Sequence, residues 1–288
     1  MRQPWNSPSA APIPAERGTA LLLVHPQYGY RSLSSPSSPN LEQNISSLIA
    51  QFRKFTEVLP AGKRPAIFYS QHRAVWTDSP LHPDHTGPYG LDGSTKRGVD
   101  FLECATPRVF NVDENKFIYI TNFDEKPLPT GSPETKLAEQ DEVLMTSHGH
   151  SVFINVPLEQ IFNQRGVKTL LIAGTPTDLS VSTAVRMAEN LALTGKWGGK
   201  GNMDDVARED IYTDGKGIYV DAKEEGKNEE NGGYLVDMPR IILIDDATRA
   251  YGKGGIDGQT VHDVHIESLR EFVEVRSTEE VLKALQSN

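Results

Sequence analysis

Five short apolar runs, separated by longer segments, constrain the fold of this sequence more than any other feature. The runs are residues 19–24, 66–70, 142–146, 169–173 and 241–244. Runs this short and this apolar are typical of the strands of a parallel sheet that is covered on both faces. Parallel strands must be joined by long crossover connections, which the intervening segments can supply. The sequence therefore predicts an α/β fold, a three-layer α/β/α sandwich around a mostly parallel central sheet.

Helical patterns fill the segments around these runs. They cover residues 40–55, 157–165, 179–194, 260–272 and 278–286, and a further short strand is expected at 273–275. In open sheets of this kind, ligands bind at the carboxyl ends of the strands. The residues that follow each run are therefore the first candidates for a site: His25, Gln71, His72, 147–150 and 174–180.

Two segments depart from the pattern. The polar, proline-rich residues 1–17 lack the apolar core of a signal peptide and are expected to form a disordered arm. Residues 18–288 are expected to form one domain with an acidic, glycine-rich insertion at about 196–238. Within that insertion, residues 211–220 have the pattern of a β-hairpin.

Composition excludes several classes of function. A formal charge of −10 disfavours nucleic acid and anionic membrane as partners, and no apolar run approaches the length of a membrane helix. The single cysteine, Cys104, excludes an internal disulfide and fits a reducing compartment, so a cytoplasmic protein is expected.

The segment at 167–188, VKTLLIAGTPTDLSVSTAVRMA, reads as a strand, a tight turn and a helix. This arrangement predicts that Ser180 lies in the first helical turn. Unpaired backbone N–H groups and the helix dipole favour negative charge there. Ser180 is therefore a candidate nucleophile, or a ligand for an anionic group.

Taken together, the motifs resemble the isochorismatase-like (cysteine hydrolase) superfamily over roughly residues 18–286. The first strand and its exit, LLLVHPQYGY, supply Gln27 and Tyr30, and Ser151 and Phe153 follow a central strand. The turn that follows the 169–173 run, GTPTDLS, matches the family's Gly-x-x-Thr-Asp pattern. The order and spacing of these motifs carry the resemblance.

The resemblance implies an Asp–Lys–Cys triad, and this chain has none of the three. His25 stands at the Asp position, Ser180 stands at the Cys position, and the Lys position falls at Thr146 or Ser147. The family also uses a backbone N–H of its cis turn as an oxyanion donor, where this chain has Pro176, which has no N–H. Amide hydrolysis by the family's usual mechanism is therefore not expected.

Two chemical hypotheses fit these replacements. In the first, His25 is the base for a Ser180 nucleophile. In the second, His25 is an acid, and the hydroxyls of Ser147 and Ser180 bind substrate oxygens. Both give an atypical, hydrolase-like enzyme with catalytic residues His25, Ser180 and Ser147. The expected substrate contacts are Gln27, Tyr30, His72, His148, Pro176 and Asp178.

A third hypothesis is a catalytically silent family member that binds a small molecule or a protein. His82, Asp84 and His85 are better explained as a polar loop than as metal ligands, so neither metal nor cofactor is predicted. His262 and His265 share one helix face, and a structural role is expected for them. The expected partner is a small-molecule substrate, and a homo-oligomer, a dimer or tetramer, is implied by the resemblance alone.

Overall fold

The computed structural model describes residues 11–108, 140–154, 156–198, 211–213, 218–221, 233–235 and 239–286. The strands in chain order are β1 (Ile13–Pro14), β2 (Thr19–Val24), β3 (Ala66–His72), β4 (Thr86–Gly87), β5 (Lys96–Arg97), β6 (Glu142–Ser147), β7 (Thr169–Gly174), β8 (Ile211–Thr213), β9 (Ile218–Asp221), β10 (Gly233–Leu235), β11 (Arg240–Thr248), β12 (Glu274–Arg276) and β13 (Leu285–Gln286). The α-helices are α1 (Leu41–Val58), α2 (Leu158–Arg165), α3 (Ser182–Leu193), α4 (Gly258–Leu269) and α5 (Thr278–Ala284).

Within these residues, six strands form the central sheet in the order β12-β11-β7-β2-β3-β6. Every neighbouring pair in this sheet is parallel. The predicted α/β fold with a parallel sheet is therefore confirmed. All five predicted runs and the short strand at 273–275 are present, with ends that differ by at most four residues.

The sheet separates two apolar cores, because alternate side chains of a strand point to opposite faces. On β2, Ala20, Leu22 and Val24 join the core under α2, α3 and α4. Leu21 and Leu23 join the core under α1 and α5. Because both faces are covered, the strands read as continuous apolar runs in the sequence.

The predicted helix at 179–194 differs from the structure at its start. Thr177–Val181 form a π-helical turn, and α3 begins only at Ser182. The Val181 N–H bonds to the Pro176 carbonyl at 3.0 Å, and the Leu179 N–H bonds to the same carbonyl at 3.3 Å. This shared carbonyl makes the wider turn, so Ser180 lies in the π-helical turn and not in the first turn of α3.

The N-terminal segment is ordered before residue 18, where the predicted arm ends. Ile13 and Ala15 are buried in the core of α1 and α5, and β1 pairs in parallel with β13. The prediction of a disordered arm rests on the polarity of the whole segment, whereas Ile13 and Ala15 are apolar and pack into the core. Residues 1–10 lie outside the described residues.

The predicted insertion is described only in part. Strands β8 and β9 pair antiparallel, with Ile211 opposite Val220, as expected for the hairpin, and β10 extends them on the other side of β9. The turn at 214–217 lies outside the described residues. Trp197, at the start of the predicted insertion, is fully buried, and its indole N–H donates to the Val167 carbonyl at 3.0 Å.

Candidate active site

Four parallel strands deliver the candidate residues to one edge of the sheet. His25 directly follows β2, His72 ends β3 and Ser147 ends β6, where His72 and Ser147 are register partners. The turn containing Pro176 and Ser180 follows β7, which pairs with β2 on its other side. The carboxyl-end rule therefore brings together residues that are far apart in sequence.

His25 is bound to a serine hydroxyl, and that hydroxyl is Ser147. His25 Nε2 lies 3.4 Å from Ser147 Oγ, and Ser147 Oγ lies 3.1 Å from the Gly149 carbonyl oxygen. A hydroxyl has one hydrogen and a carbonyl can only accept, so Ser147 donates to Gly149. His25 Nε2 is then the donor to Ser147, and Nδ1 carries the lone pair. His25 Nδ1 is buried and has no hydrogen-bond partner among the described residues.

Three imidazoles lie in a row from the interior to the surface. The rings of His25 and His72 are 5.3 Å apart, and those of His72 and exposed His150 are 5.4 Å apart. His72 Nδ1 donates to the Gly149 carbonyl at 3.2 Å. A single carbonyl thus fixes the tautomer of His72 directly and that of His25 through Ser147.

Burial keeps the inner two imidazoles neutral. It lowers the pKa of His25 well below the ordinary value, and nearby His72 and His150 lower it further. Burial, with a smaller contribution from His150, lowers the pKa of His72 to about 4. At neutral pH the site therefore presents two uncharged imidazoles.

The backbone of His25 is in the left-handed region, with φ 47°. Such a conformation costs on the order of 1 kcal/mol or more for a non-glycine residue and persists where neighbours fix it. Here the His25 N–H donates to the Ser70 carbonyl at 3.0 Å. The His25 carbonyl accepts from the Gln27 N–H at 2.8 Å and from Thr175 Oγ1 at 3.1 Å. The last bond ties His25 to the turn after β7.

Ser180 belongs to a second polar cluster, with Tyr30 and Asp178. Ser180 Oγ is fully buried and has no hydrogen-bond partner among the described residues. Ser180 Oγ lies close enough to the Tyr30 hydroxyl to lower the pKa of that phenol, although the two groups do not have the geometry of a hydrogen bond. Burial raises the pKa of Tyr30 most; Tyr251 and Asp178 raise it further, and Ser180 lowers it. The rings of Tyr30 and Tyr251 stack at 5.9 Å.

Only one of the two carboxylate oxygens of Asp178 has a partner among the described residues. One carboxylate oxygen binds the Lys253 ammonium, and the other is buried without a partner among the described residues. Lys253 and Tyr251 follow β11 and were not among the predicted site residues. The same carboxyl-end rule that identified the other residues would have found them had it been applied to β11.

Gln27 was expected to contact substrate, but its side chain is occupied by backbone groups. Gln27 Nε2 donates to the carbonyls of His72 at 2.8 Å and Val99 at 2.7 Å, and Gln27 Oε1 accepts from the His72 N–H at 2.7 Å. These bonds fix the end of β3 and leave no donor for a ligand. Gln27 therefore positions His72.

The remaining predicted residues lie around the same edge. His148 is half-buried, and its Nδ1 donates to the Arg73 carbonyl at 2.9 Å. The Thr175–Pro176 peptide is cis, and Pro176 offers no N–H to a ligand. Gly149 lies within the predicted 147–150 segment, but the role of its carbonyl, which accepts from both Ser147 and His72, was not predicted, because a carbonyl acceptor has no sequence signature.

The histidines considered as metal ligands have other partners. His85 Nδ1 lies 3.0 Å from the Tyr89 hydroxyl, and His82 Nδ1 accepts from the Asp84 N–H at 3.2 Å. In the part of the chain that the structure describes, no group of three or more His, Cys, Asp or Glu side chains is arranged to hold a metal ion. None of the described helices is both long and apolar enough to cross a membrane.

Comparison with known proteins identifies the family. The model of the isochorismatase domain matches residues 19–193, more than half of the chain, so the protein belongs to the isochorismatase family. A comparison with curated protein sequences gives no significant match.

Solved structures share the fold at low identity. A protein of the isochorismatase family from Chromobacterium violaceum is 18% identical, with a TM-score of 0.55 over 95% of this chain and 97% of that one. A cysteine hydrolase from Pseudomonas syringae pv. phaseolicola is 16% identical, with a TM-score of 0.54 over 95% and 94%. An isochorismatase-like hydrolase from Alkaliphilus metalliredigens is 13% identical, with a TM-score of 0.51 over 93% and 97%. Membership of this family supports a hydrolase-like function.

Proposed function

We propose that this protein is a hydrolase that acts on a small molecule without a cysteine nucleophile, with His25 as its acid and base. The observation that supports this most is the buried Nδ1 of His25, which has no hydrogen-bond partner among the described residues, while the other ring nitrogen is hydrogen-bonded to Ser147. An imidazole with one nitrogen fixed as donor and the other free is ready to accept a proton.

In the proposed reaction, His25 Nδ1 takes a proton from water as the water oxygen bonds to an electrophilic carbon of the substrate. The bond from that carbon to the leaving group then breaks, and His25 returns the proton to the leaving group. Ser147 acts as a positioning residue, because it donates to Gly149 and receives from His25. The low pKa of His25 keeps it neutral at neutral pH, so the imidazole is in its base form there.

Ser180 is assigned to substrate binding in this mechanism. Its hydroxyl has no hydrogen bond to His25, so its proton has no base in contact to remove it. A buried hydroxyl with an unused hydrogen can donate to a developing oxyanion, which partly offsets the donor that Pro176 lacks. A Ser180 nucleophile remains the alternative within the same proposal, and would require substrate to bring Ser180 and His25 together.

A panel of p-nitrophenyl esters and p-nitroanilides tests the proposal. His25→Asn is the suitable variant, because asparagine tolerates the left-handed backbone at this position. We expect its turnover to fall by about 10²–10⁴. His265→Asn, a half-buried histidine on α4, is the matched control and should retain activity. Ser180→Ala should lower turnover by about 10²–10³ if its hydroxyl serves as an oxyanion donor.

A catalytically silent, ligand-binding protein is the second candidate, favoured by the missing N–H of Pro176 and the unbonded Ser180. The same panel separates the two. Turnover that survives in His25→Asn would remove the proposed mechanism. No turnover of any substrate by the folded wild type would favour the silent protein.

A further inference from the structure

A hydroxyl, an imidazole and a carboxylate form a second hydrogen-bonded chain, which the proposed mechanism does not use. Thr177 Oγ1 lies 3.0 Å from His262 Nδ1, and His262 Nε2 lies 2.8 Å from Asp245 Oδ1. Thr177 belongs to the π-helical turn, His262 to α4 and Asp245 to β11. The chain therefore joins three elements that are separate in sequence.

The direction of each bond follows from the groups involved. The Asp245 carboxylate can only accept, so His262 Nε2–H donates to it. In the neutral imidazole, His262 Nδ1 then carries the lone pair, and the Thr177 hydroxyl donates to it. Thr177 is fully buried and His262 is 3% exposed, whereas the Asp245 side chain is 39% exposed. A buried hydroxyl whose partner were removed would be left unsatisfied.

Thr177 is also the anchor of the turn that carries Pro176 and Ser180. Its N–H donates to the Arg249 carbonyl at 2.8 Å, and the Arg249 N–H donates to the Gly174 carbonyl at 3.2 Å. Backbone bonds thus hold one side of Thr177 to the end of β11, and His262 holds its side chain on the other. Ser180 lies three residues further along the same turn, and its hydroxyl has no hydrogen-bond partner among the described residues.

We propose that Asp245, His262 and Thr177 are positioning residues that hold the Gly174–Ser180 turn in the geometry that the active site needs. The arrangement has the nucleophile–base–carboxylate order of a catalytic triad, but the burial of Thr177 assigns it to positioning. This inference rests on the proposed function only where it predicts a change in turnover. The predicted change in the stability of the Gly174–Ser180 turn does not depend on any reaction.

The test compares Thr177→Val, which removes the hydroxyl at nearly constant shape, with Thr177→Ser, which keeps it. Hydrogen–deuterium exchange is measured by mass spectrometry on peptides that cover residues 174–188 and, as an internal reference, α1. We expect exchange in the turn to rise about tenfold in Thr177→Val, to return to within about threefold of wild type in Thr177→Ser, and to stay constant in α1.

Thr194→Val is the matched control. Its hydroxyl bonds to the Asn190 carbonyl at 2.8 Å, at the far end of α3 and outside both the turn and the chain of three. This variant should leave exchange in the turn within about twofold of wild type. Asp245→Asn is the second variant, should Thr177→Val not fold, because it weakens the same chain from its solvent end and should raise exchange in the same peptide.

Where a substrate from the ester and anilide panel is turned over, Thr177→Val should lower kcat about tenfold at nearly constant KM, and Thr177→Ser should restore it. Unchanged exchange at 174–188 in Thr177→Val, or in Asp245→Asn in its place, overturns the inference, as does a Thr177→Ser variant that behaves like Thr177→Val. If the wild type turns over nothing, the proposed function fails and the exchange result alone decides this inference.

Discussion

His25 Nε2 and Ser147 Oγ, 3.4 Å apart, are joined across a strand that lies between their own. His25 follows β2 and Ser147 ends β6, and β3 separates these strands in the sheet. The contact closes over the end of β3, where His72 lies against His25. It therefore sets the tautomer of His25 and links the ends of two strands that are not neighbours in the sheet.

Ser147→Ala should destabilise the fold by about 1–3 kcal/mol, because it leaves the buried His25 Nε2–H without an acceptor. Urea unfolding measures the change. Ser70→Ala is the control: Ser70 is equally buried, but its hydroxyl has no partner among the described residues, so its loss should change stability little. Equal destabilisation by both substitutions would contradict the assigned role of Ser147.

The acid limb of the pH–rate profile should lie well below pH 6.5. Burial lowers the pKa of His25, so the neutral base persists at pH values where an ordinary histidine is protonated. The measurement is kcat/KM for any substrate from the panel, between pH 4 and 8. An acid limb at or above pH 6.5 would show that a different group, or an exposed histidine, is the base.

The free energy of unfolding should fall as the pH is lowered from about 6.5 toward about 4, because of His72. Its folded pKa is about 4, below the ordinary 6.5 of the unfolded chain. In this window the unfolded state binds a proton that the folded state does not, so stability rises with pH. This difference between the folded and unfolded pKa of His72 corresponds to a loss of at most about 3 kcal/mol in the free energy of unfolding.

Urea unfolding at pH 7.5 and pH 5 tests this dependence. His72→Asn should have a smaller difference between the two pH values than the wild type, whereas His265→Asn should resemble the wild type. A difference that is the same in all three proteins would mean that His72 is not responsible.

Asp178 and Lys253 should show a small favourable coupling in a double-mutant cycle with Asp178→Asn and Lys253→Met. The Lys253 side chain is 52% exposed, and solvent screens the pair, so we expect under about 1 kcal/mol. Asp178→Asn alone should nonetheless lower affinity for ligands that donate to its free oxygen. A coupling of several kcal/mol would contradict this expectation, because it would require an ion pair that is shielded from solvent.

The sequence predicted which candidate residues share one edge of the sheet, but not how they bond to one another. The apolar runs predicted where the strands end, and so placed His25, His72, Ser147 and Ser180 at one edge. They could not show that His25 bonds to Ser147, because the choice between two serines depends on side-chain directions at the ends of β6 and β7. The π-helical turn that displaces Ser180 arises from one carbonyl, Pro176, which accepts two N–H groups.

What the sequence determined by itself is the α/β class, the order of its elements and the identity of the residues that follow each strand. These follow from local apolar periodicity and residue identity, which need no coordinates. Only the tertiary structure decided which lone pair is free, which hydroxyl is a donor and which imidazoles are neutral. Those properties depend on burial and on partners such as Gly149 and Asp245, which long-range packing brings within a few ångströms.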